Sequence, residues 1–201
     1  MSTVQQYLKK IEQQLVLGSA TEHTHRPTLK ELLEGCSPGV VAINEPKRIA
    51  CGAPDLVVLK NDLTVGYLEA KDVGKPLDEI ARSEQLKRYR EALGNLILTD
   101  YLRFIWYVDG EERQRVTVAT QGQGGRLKIS QNGITELGIL LDEFLAQKPQ
   151  DITSPSVLAE RMAKLTHLIR DIVIQAFQRN EASQLLTDLR LAMAQTLLPD
   201  H

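Results

Sequence analysis

Cysteine is scarce in this 201-residue chain, with Cys36 and Cys51 the whole supply. Two thiols cannot build a disulfide framework and lack the paired spacing of a zinc site, so both read as reduced and structural. A basic surplus is missing too. The formal net charge is −2, with 24 Lys and Arg against 26 Asp and Glu, which gives no whole-molecule sign of nucleic-acid binding. Carboxylates gathered around a metal would, however, mask phosphate-binding cations in such a total. No uninterrupted apolar run is long enough for a membrane span. The N-terminal MSTVQQYLKKIEQQLVLG mixes charge into its apolar positions and so lacks the core of a secretion signal, which makes the cytoplasm the expected location. The glycine run QGQGG at 121–125 has no Lys-Ser/Thr after it; a flexible connector fits it better than a phosphate-binding loop. There is no internal repeat and no low-complexity tract.

What is present is the balance of a soluble globular protein, 42% apolar and 25% charged residues. That suits one domain of ordinary size, expected over 1–150, with a helical extension over 151–201. Val4, Tyr7, Leu8, Ile11 and Leu15 recur at helical steps before Gly18, predicting an amphipathic first helix. A second helical stretch ends at Gly35 and either starts late or kinks at Pro27. The runs VVAI (40–43), DLVVL (55–59) and TVGYLEAK (64–71) have the β-branched content of strands. Asn61-Asp62 predicts a tight turn joining the last two as an antiparallel hairpin. Pro76 opens a helix expected to run to about Leu93. FIWYV and RVTVA around Asp109-Gly110 form a second predicted hairpin that extends the sheet. From about Thr135 the pattern is helical, with a linker at 147–156 and an apolar stripe of Leu158, Met162, Leu165, Ile169, Ile172 and Ala176. Such a continuous stripe is expected to be buried against another helix or a partner chain. A last helix is expected near 183–198. The fold class is thus α/β, a mixed sheet of four or five strands flanked by helices and followed by helices.

The informative fragment is Gly52-Ala53-Pro54-Asp55 followed, thirteen residues later, by Glu69-Ala70-Lys71. Side chains alternate along a strand, so Glu69 and Lys71 share a face, about 7 Å apart. With Asn61-Asp62 as a two-residue turn, Asp55 falls opposite Leu68 and beside Glu69; one more residue in the turn puts Asp55 opposite Glu69. Either register joins two carboxylates at the open end of a hairpin. Such a pair repels itself and loses hydration unless a cation lies between them. Hard oxygen ligands suit Mg²⁺, which keeps waters and uses one or two carboxylates plus a substrate phosphate. Lys71 could then orient or deprotonate the attacking water and offset the negative charge of the transition state. An isolated E-x-K is more often a plain polar strand face. Here the strand that it ends and the Pro-Asp that opens the strand before it reverse that judgement.

At these residues the sequence resembles the PD-(D/E)XK nuclease superfamily, in which an Asp opens one strand of a hairpin and (D/E)-x-K lies on the next. The resemblance implies a mixed sheet flanked by helices and Mg²⁺-dependent cleavage of DNA, with Mn²⁺ as a substitute. It makes Asp55 and Glu69 metal ligands and Lys71 catalytic. It also points to Glu22, on an early helix, as a further ligand, and to Gln85-Leu86-Lys87-Arg88-Tyr89 as the Q-x-x-x-Y motif of the RecB-like branch. Gln85 falls on the helix face toward the sheet, where an amide needs partners, and a place near the active site would supply them; a residue reaching out to water is the bland alternative. For Glu22 that alternative is a helix N-terminal carboxylate. Over residues 20–110 the chain resembles the N-terminal nuclease domain of bacterial restriction-modification proteins that join nuclease and adenine methyltransferase. It carries no Asn-Pro-Pro-Tyr motif and no helicase motifs, so a standalone relative and a fragment both remain open.

Other residues carry less weight. His23 and His25 fit a surface or phosphate-contact role better than a metal site. Lys47 and Arg48 form a basic pair suited to the DNA backbone, as Tyr89 does, although a solvated loop explains the pair equally well. Arg82, Lys87, Arg88 and Arg90 spread around their helix and read as solvated. The expected partners are DNA and a methyltransferase or translocase subunit or domain; a homodimer is compatible with the sequence. Two other classes stay open: a DNA- or partner-binding module that does not cleave, and an assembly subunit docking through its C-terminal helices.

Overall fold

The computed structural model describes residues 2–18, 22–44, 54–147, 155–179 and 182–197. The chain divides into a larger unit of residues 1–44 with 54–151 and a smaller one that includes residues 152–201.

In the larger unit, α1 (Thr3–Val16) and α2 (Glu22–Glu34) precede β1 (Val40–Asn44), β2 (Leu56–Lys60) and β3 (Leu63–Ala70). Next come α3 (Leu77–Ala81), α4 (Glu84–Ala92), β4 (Asn95–Thr99), β5 (Arg103–Val108) and β6 (Glu111–Thr117). A small β7 (Ala119–Gln121) and β8 (Leu127–Ile129) pair and α5 (Gln131–Ala146) complete it. Strands β1 to β6 form one sheet in sequence order, antiparallel throughout except for the parallel β3–β4 pair. The fold is therefore a mixed α/β sheet flanked by helices, with six strands rather than four or five. The additional strand is β4, whose five residues are all buried. It has no polar alternation to mark it, as expected of a strand covered on both faces.

The two sheet faces have separate covers. Leu56, Val58, Leu68, Ala70, Ile97, Phe104 and Trp106 pack with residues of α1, α2 and α5, among them Leu8, Leu29, Leu32, Leu140 and Phe144. By strand alternation Val57, Glu69, Leu98, Ile105 and Tyr107 face the other way, the side of α3 and α4, where Leu77, Leu86 and Tyr89 are buried. The helix expected from Pro76 to Leu93 is two helices, because Ser83 caps α4 by accepting from the Leu86 N–H at 3.3 Å and so begins a new N-terminus. By contrast α2 runs through Pro27.

Both turns are as expected. Asn61 (φ 51°) and Asp62 (φ 64°) adopt left-handed backbone, as do Asp109 (φ 51°) and Gly110 (φ 86°), the conformation of two-residue hairpin turns. The first hairpin joins the two alternative registers. Lys60 faces Leu63 across the two-residue turn, and an irregularity beyond Leu59 then shifts the pairing so that Val58 faces Gly66 and Leu56 faces Leu68. Continued by one residue, that register sets Asp55 opposite Glu69. Asn95 holds the irregular stretch in place: its Nδ2 donates to the carbonyls of Val65 (2.7 Å) and Phe144 (3.0 Å), and its Oδ1 accepts from the Trp106 indole at 2.7 Å.

The smaller unit holds α6 (Pro155–Gln178) and α7 (Gln184–Leu197). Its apolar stripe was expected to be covered by another helix or by a partner chain. Ala176 is buried, and Leu158, Met162, Leu165 and Ile169 are 40–60% exposed, so among the described residues a second helix does not bury most of the row. No helix among the described residues is long and apolar enough to cross a membrane.

Candidate active site

The carboxylate of Asp55 lies just before β2, where the register delivers it to the end of β3. Its Oδ2 accepts from the Ala70 backbone N–H at 2.8 Å, so side chain and strand are tied directly. Its Oδ1 is held by Arg26 Nη2, in a salt bridge whose two side chains are 13% and 20% exposed respectively. Glu69 is buried on the β3 face turned toward α4, and its Oε1 accepts from Lys71 Nζ at 2.5 Å. The Lys71 backbone is fixed as well, its N–H donating to the Thr99 carbonyl at 2.8 Å. The hairpin and α2 thus bring together two carboxylates and two cations at the strand ends.

Above them is α4. Gln85 Nε2 donates to the Tyr89 hydroxyl at 3.0 Å, so the amide finds a partner on its own helix. The Tyr89 phenol is pushed up, chiefly by burial and then by the charge of Glu69; Gln85 acts against this, Asp55 adds to it and Arg88 opposes it. Both carboxylate charges thus bear on the Tyr89 phenol, which faces the same side of the sheet as Glu69. Gln85 and Tyr89 are thus linked to each other on the α4 face turned toward the sheet, and Tyr89, 1% exposed, corrects its expected contact with the DNA backbone.

Other expected residues are less fully placed. Glu22 begins α2, one turn before Arg26, and its side chain lies outside the described residues, as do Lys47, Arg48 and Cys51. Among the described residues no three His, Cys, Asp or Glu side chains gather as a metal-binding group. His25 corrects its expected surface role: it is buried, its Nδ1 lies 2.7 Å from Gln14 Oε1, and its ring packs on Tyr101 with centroids 5.0 Å apart. Burial lowers its pKa, with Asp72 opposing. Cys36 is structural as expected, its thiol donating to the Leu32 carbonyl at 3.1 Å and pushed up to about 11, mainly by burial.

Two groups emerge only from the structure. Arg26 is one; it comes from α2, 29 positions before Asp55, and the only hint was its helical spacing from Glu22. The other is Asp100, buried just after β4. It accepts from the backbone N–H groups of Gly74 (3.1 Å), Leu102 (3.3 Å) and Arg103 (2.8 Å) and from the Arg103 guanidinium at 2.6 and 2.9 Å. Arg103 Nη2 also donates to the Lys75 carbonyl at 2.6 Å. Together they latch the loop that follows Lys71.

As chemistry, the arrangement offers two hard oxygen donors on neighbouring strands, an ammonium beside one of them and a guanidinium beside the other. The donor set fits a small divalent cation that retains several waters. No family model matches the chain, and no curated protein matches it. Seven chains of solved structures do. One, described as "cryoEM structure DrdV-DNA complex", is similar over 73% of this chain and 98% of that chain, with a TM-score of 0.54 and 24% identity. At that identity the likeness establishes the shared mixed α/β fold.

Proposed function

We propose that this chain is a Mg²⁺-dependent DNA endonuclease of the PD-(D/E)XK type, acting within a restriction-modification system. The observation that carries the reading is the hairpin register, whose pairing of Leu56 with Leu68 leads Asp55 to the end of β3, where its Oδ2 accepts from the Ala70 N–H beside the Glu69–Lys71 pair. Asp55 and Glu69 would hold the metal, with Mn²⁺ as a substitute of similar oxygen preference. A bound divalent ion supplies polarisation of the scissile phosphate and a more acidic attacking water. Lys71 Nζ then orients that water and holds positive charge where the phosphate gathers negative charge. Arg26, released from Asp55, offers a forked donor to a phosphate oxygen. The similar solved protein is described as a DNA complex, which supports DNA as the ligand. In such a system the exposed apolar row of α6 is where a methyltransferase or translocase would be met.

A second reading rests on the ion pairs themselves. Arg26 and Lys71 already neutralise both carboxylates, as they would in a DNA-binding module that does not cleave. Incubation with plasmid and linear DNA in Mg²⁺, Mn²⁺ or chelator separates the two. The nuclease reading expects metal-dependent cleavage that Asp55→Ala and Glu69→Ala each abolish with the fold retained. Binding without cleavage under all three conditions, or wild-type cleavage by either variant, overturns it.

A further inference from the structure

Four arginines of the larger unit are half-buried: Arg26, Arg88, Arg90 and Arg103. Three have evident employment. Arg26 is paired with Asp55 and Arg103 with Asp100. Arg90 donates from Nε to the Gly110 carbonyl at 2.8 Å and lies 4.7 Å over the Tyr107 ring. Arg88 has neither a carboxylate nor a carbonyl partner among the described residues. Arg88 is half-buried as a residue, and its guanidinium, with no such partner, keeps its fork of donors open to an anionic ligand.

The direction of Arg88 follows from its neighbour. Arg90 fixes one flank of α4 over β5 and the β5–β6 turn. Two residues subtend about 160° on the opposite side of a helix, so Arg88 lies on the flank away from β5. In the sheet order β2-β3-β4-β5, that is the flank toward β3 and β2, where Glu69, Lys71 and Asp55 sit. It is also one turn from Gln85 on the same helix, and i, i+3 residues are neighbours on a helix surface. Both carboxylates and Arg88 act on the same phenol, that of Tyr89.

We propose that Arg88 is a phosphate-binding residue that grips the nucleic-acid backbone beside the Asp55–Glu69 site. The guanidinium fork suits two oxygens of one phosphate, which a lysine ammonium meets only as a point charge. This rests on the nuclease reading for the identity of the ligand, but not on cleavage. Arg88 binds and orients the strand, while Lys71 serves the reacting phosphate.

The test measures binding of a fluorescent DNA duplex to the full chain over a salt series, by anisotropy, in Ca²⁺ and in chelator. Arg88→Ala, Arg88→Lys and Arg88→Gln are compared with wild type and with Arg82→Ala, an exposed arginine at the end of α3. Each released phosphate contact lowers the slope of log K against log salt by about 0.9. The expectation is that loss for Arg88→Ala and Arg88→Gln, with roughly tenfold weaker binding. Arg88→Lys should keep the slope with reduced affinity, and Arg82→Ala should match wild type. A slope for Arg88→Ala and Arg88→Gln equal to that of wild type overturns the assignment, as does an equal loss in Arg82→Ala. Wild type that binds duplex but never cuts it would overturn the nuclease reading and leave Arg88 standing. Wild type that binds no DNA overturns both.

Discussion

Removing the Lys71 ammonium should reveal how the site manages its charge. Glu69 is 3% exposed and Lys71 25% exposed, with Nζ and Oε1 2.5 Å apart. An exposed pair would contribute at most about 1 kcal/mol, whereas breaking a buried pair from one side costs about 3–5 kcal/mol. Because water can reach the lysine end, we expect about 2–3 kcal/mol for Lys71→Ala in chelator. In a chain of this size that lowers Tm by about 5–10 °C. Mg²⁺ should return much of the loss, since the cation takes over the neutralisation of Glu69, and ligand at a hundred times its Kd contributes about 2.7 kcal/mol. The variant should therefore gain more from Mg²⁺ than wild type does. Single-turnover cleavage should nonetheless stay lower by orders of magnitude with metal bound, and Lys71→Arg should rescue it poorly, because a guanidinium spreads over a planar fork the charge that the ammonium concentrates as a point beside the water. Paired thermal melts and cleavage of labelled DNA, with metal affinity by calorimetry, check this. Equal melting of wild type and Lys71→Ala in chelator, together with equal cleavage in Mg²⁺, would refute both the charge argument and the catalytic role.

Asp100→Asn weakens the latch on the loop after Lys71. It should speed amide exchange at Gly74 and lower cleavage at least tenfold while leaving DNA affinity unchanged; unchanged exchange removes Asp100 as a positioning residue. Because the folded pKa of His25 lies below its unfolded value, the unfolded chain takes up the proton first. Stability should thus fall as pH drops below about 6.5 toward the lower folded value, and His25→Gln should flatten that part of a denaturation–pH curve. At Gly66 an added Cβ would come within 2.5 Å of the Phe144 ring and 2.8 Å of Asn95 Nδ2. Gly66→Ala should therefore cost about 1–3 kcal/mol in chemical denaturation, and a neutral result would show that Phe144 yields easily.

How far such features can be read from sequence depends on whether their cause is local. The turns at Asn61-Asp62 and Asp109-Gly110 were legible because left-handed backbone has a local residue preference, and α1 because its apolar spacing is periodic. The strand β4 was not, since five buried residues show no alternation. The break between α3 and α4 was missed although Ser83 signals it, because the apolar positions on either side continue one another in phase. The register at Asp55 illustrates an intermediate case. Sequence limits it to two choices one residue apart, and the decision falls to the irregularity beyond Leu59. What fixes that irregularity is Asn95, 30 residues downstream of Val65, together with the α5 carbonyl of Phe144.

The same distinction applies to the site. Asp55, Glu69 and Lys71 are spaced by one hairpin, so local geometry joins them, whereas Arg26 arrives from a helix on the opposite side of the sheet and Arg103 from the strand after β4. The consequence is electrostatic. Each carboxylate that would repel the other has a cation within its own fold, Arg26 for Asp55 and Lys71 for Glu69, so the fold can assemble the pair before any metal is bound. A divalent ion must then compete with two preformed ion pairs, and its apparent affinity is reduced by whatever those pairs contribute. In return, a metal that displaced Arg26 and Lys71 would release them at the place where a phosphate would arrive. The near-zero net charge of the chain is thus no argument against a polyanionic ligand, because on the nuclease reading the relevant cations would be masked until the carboxylates exchanged them for metal.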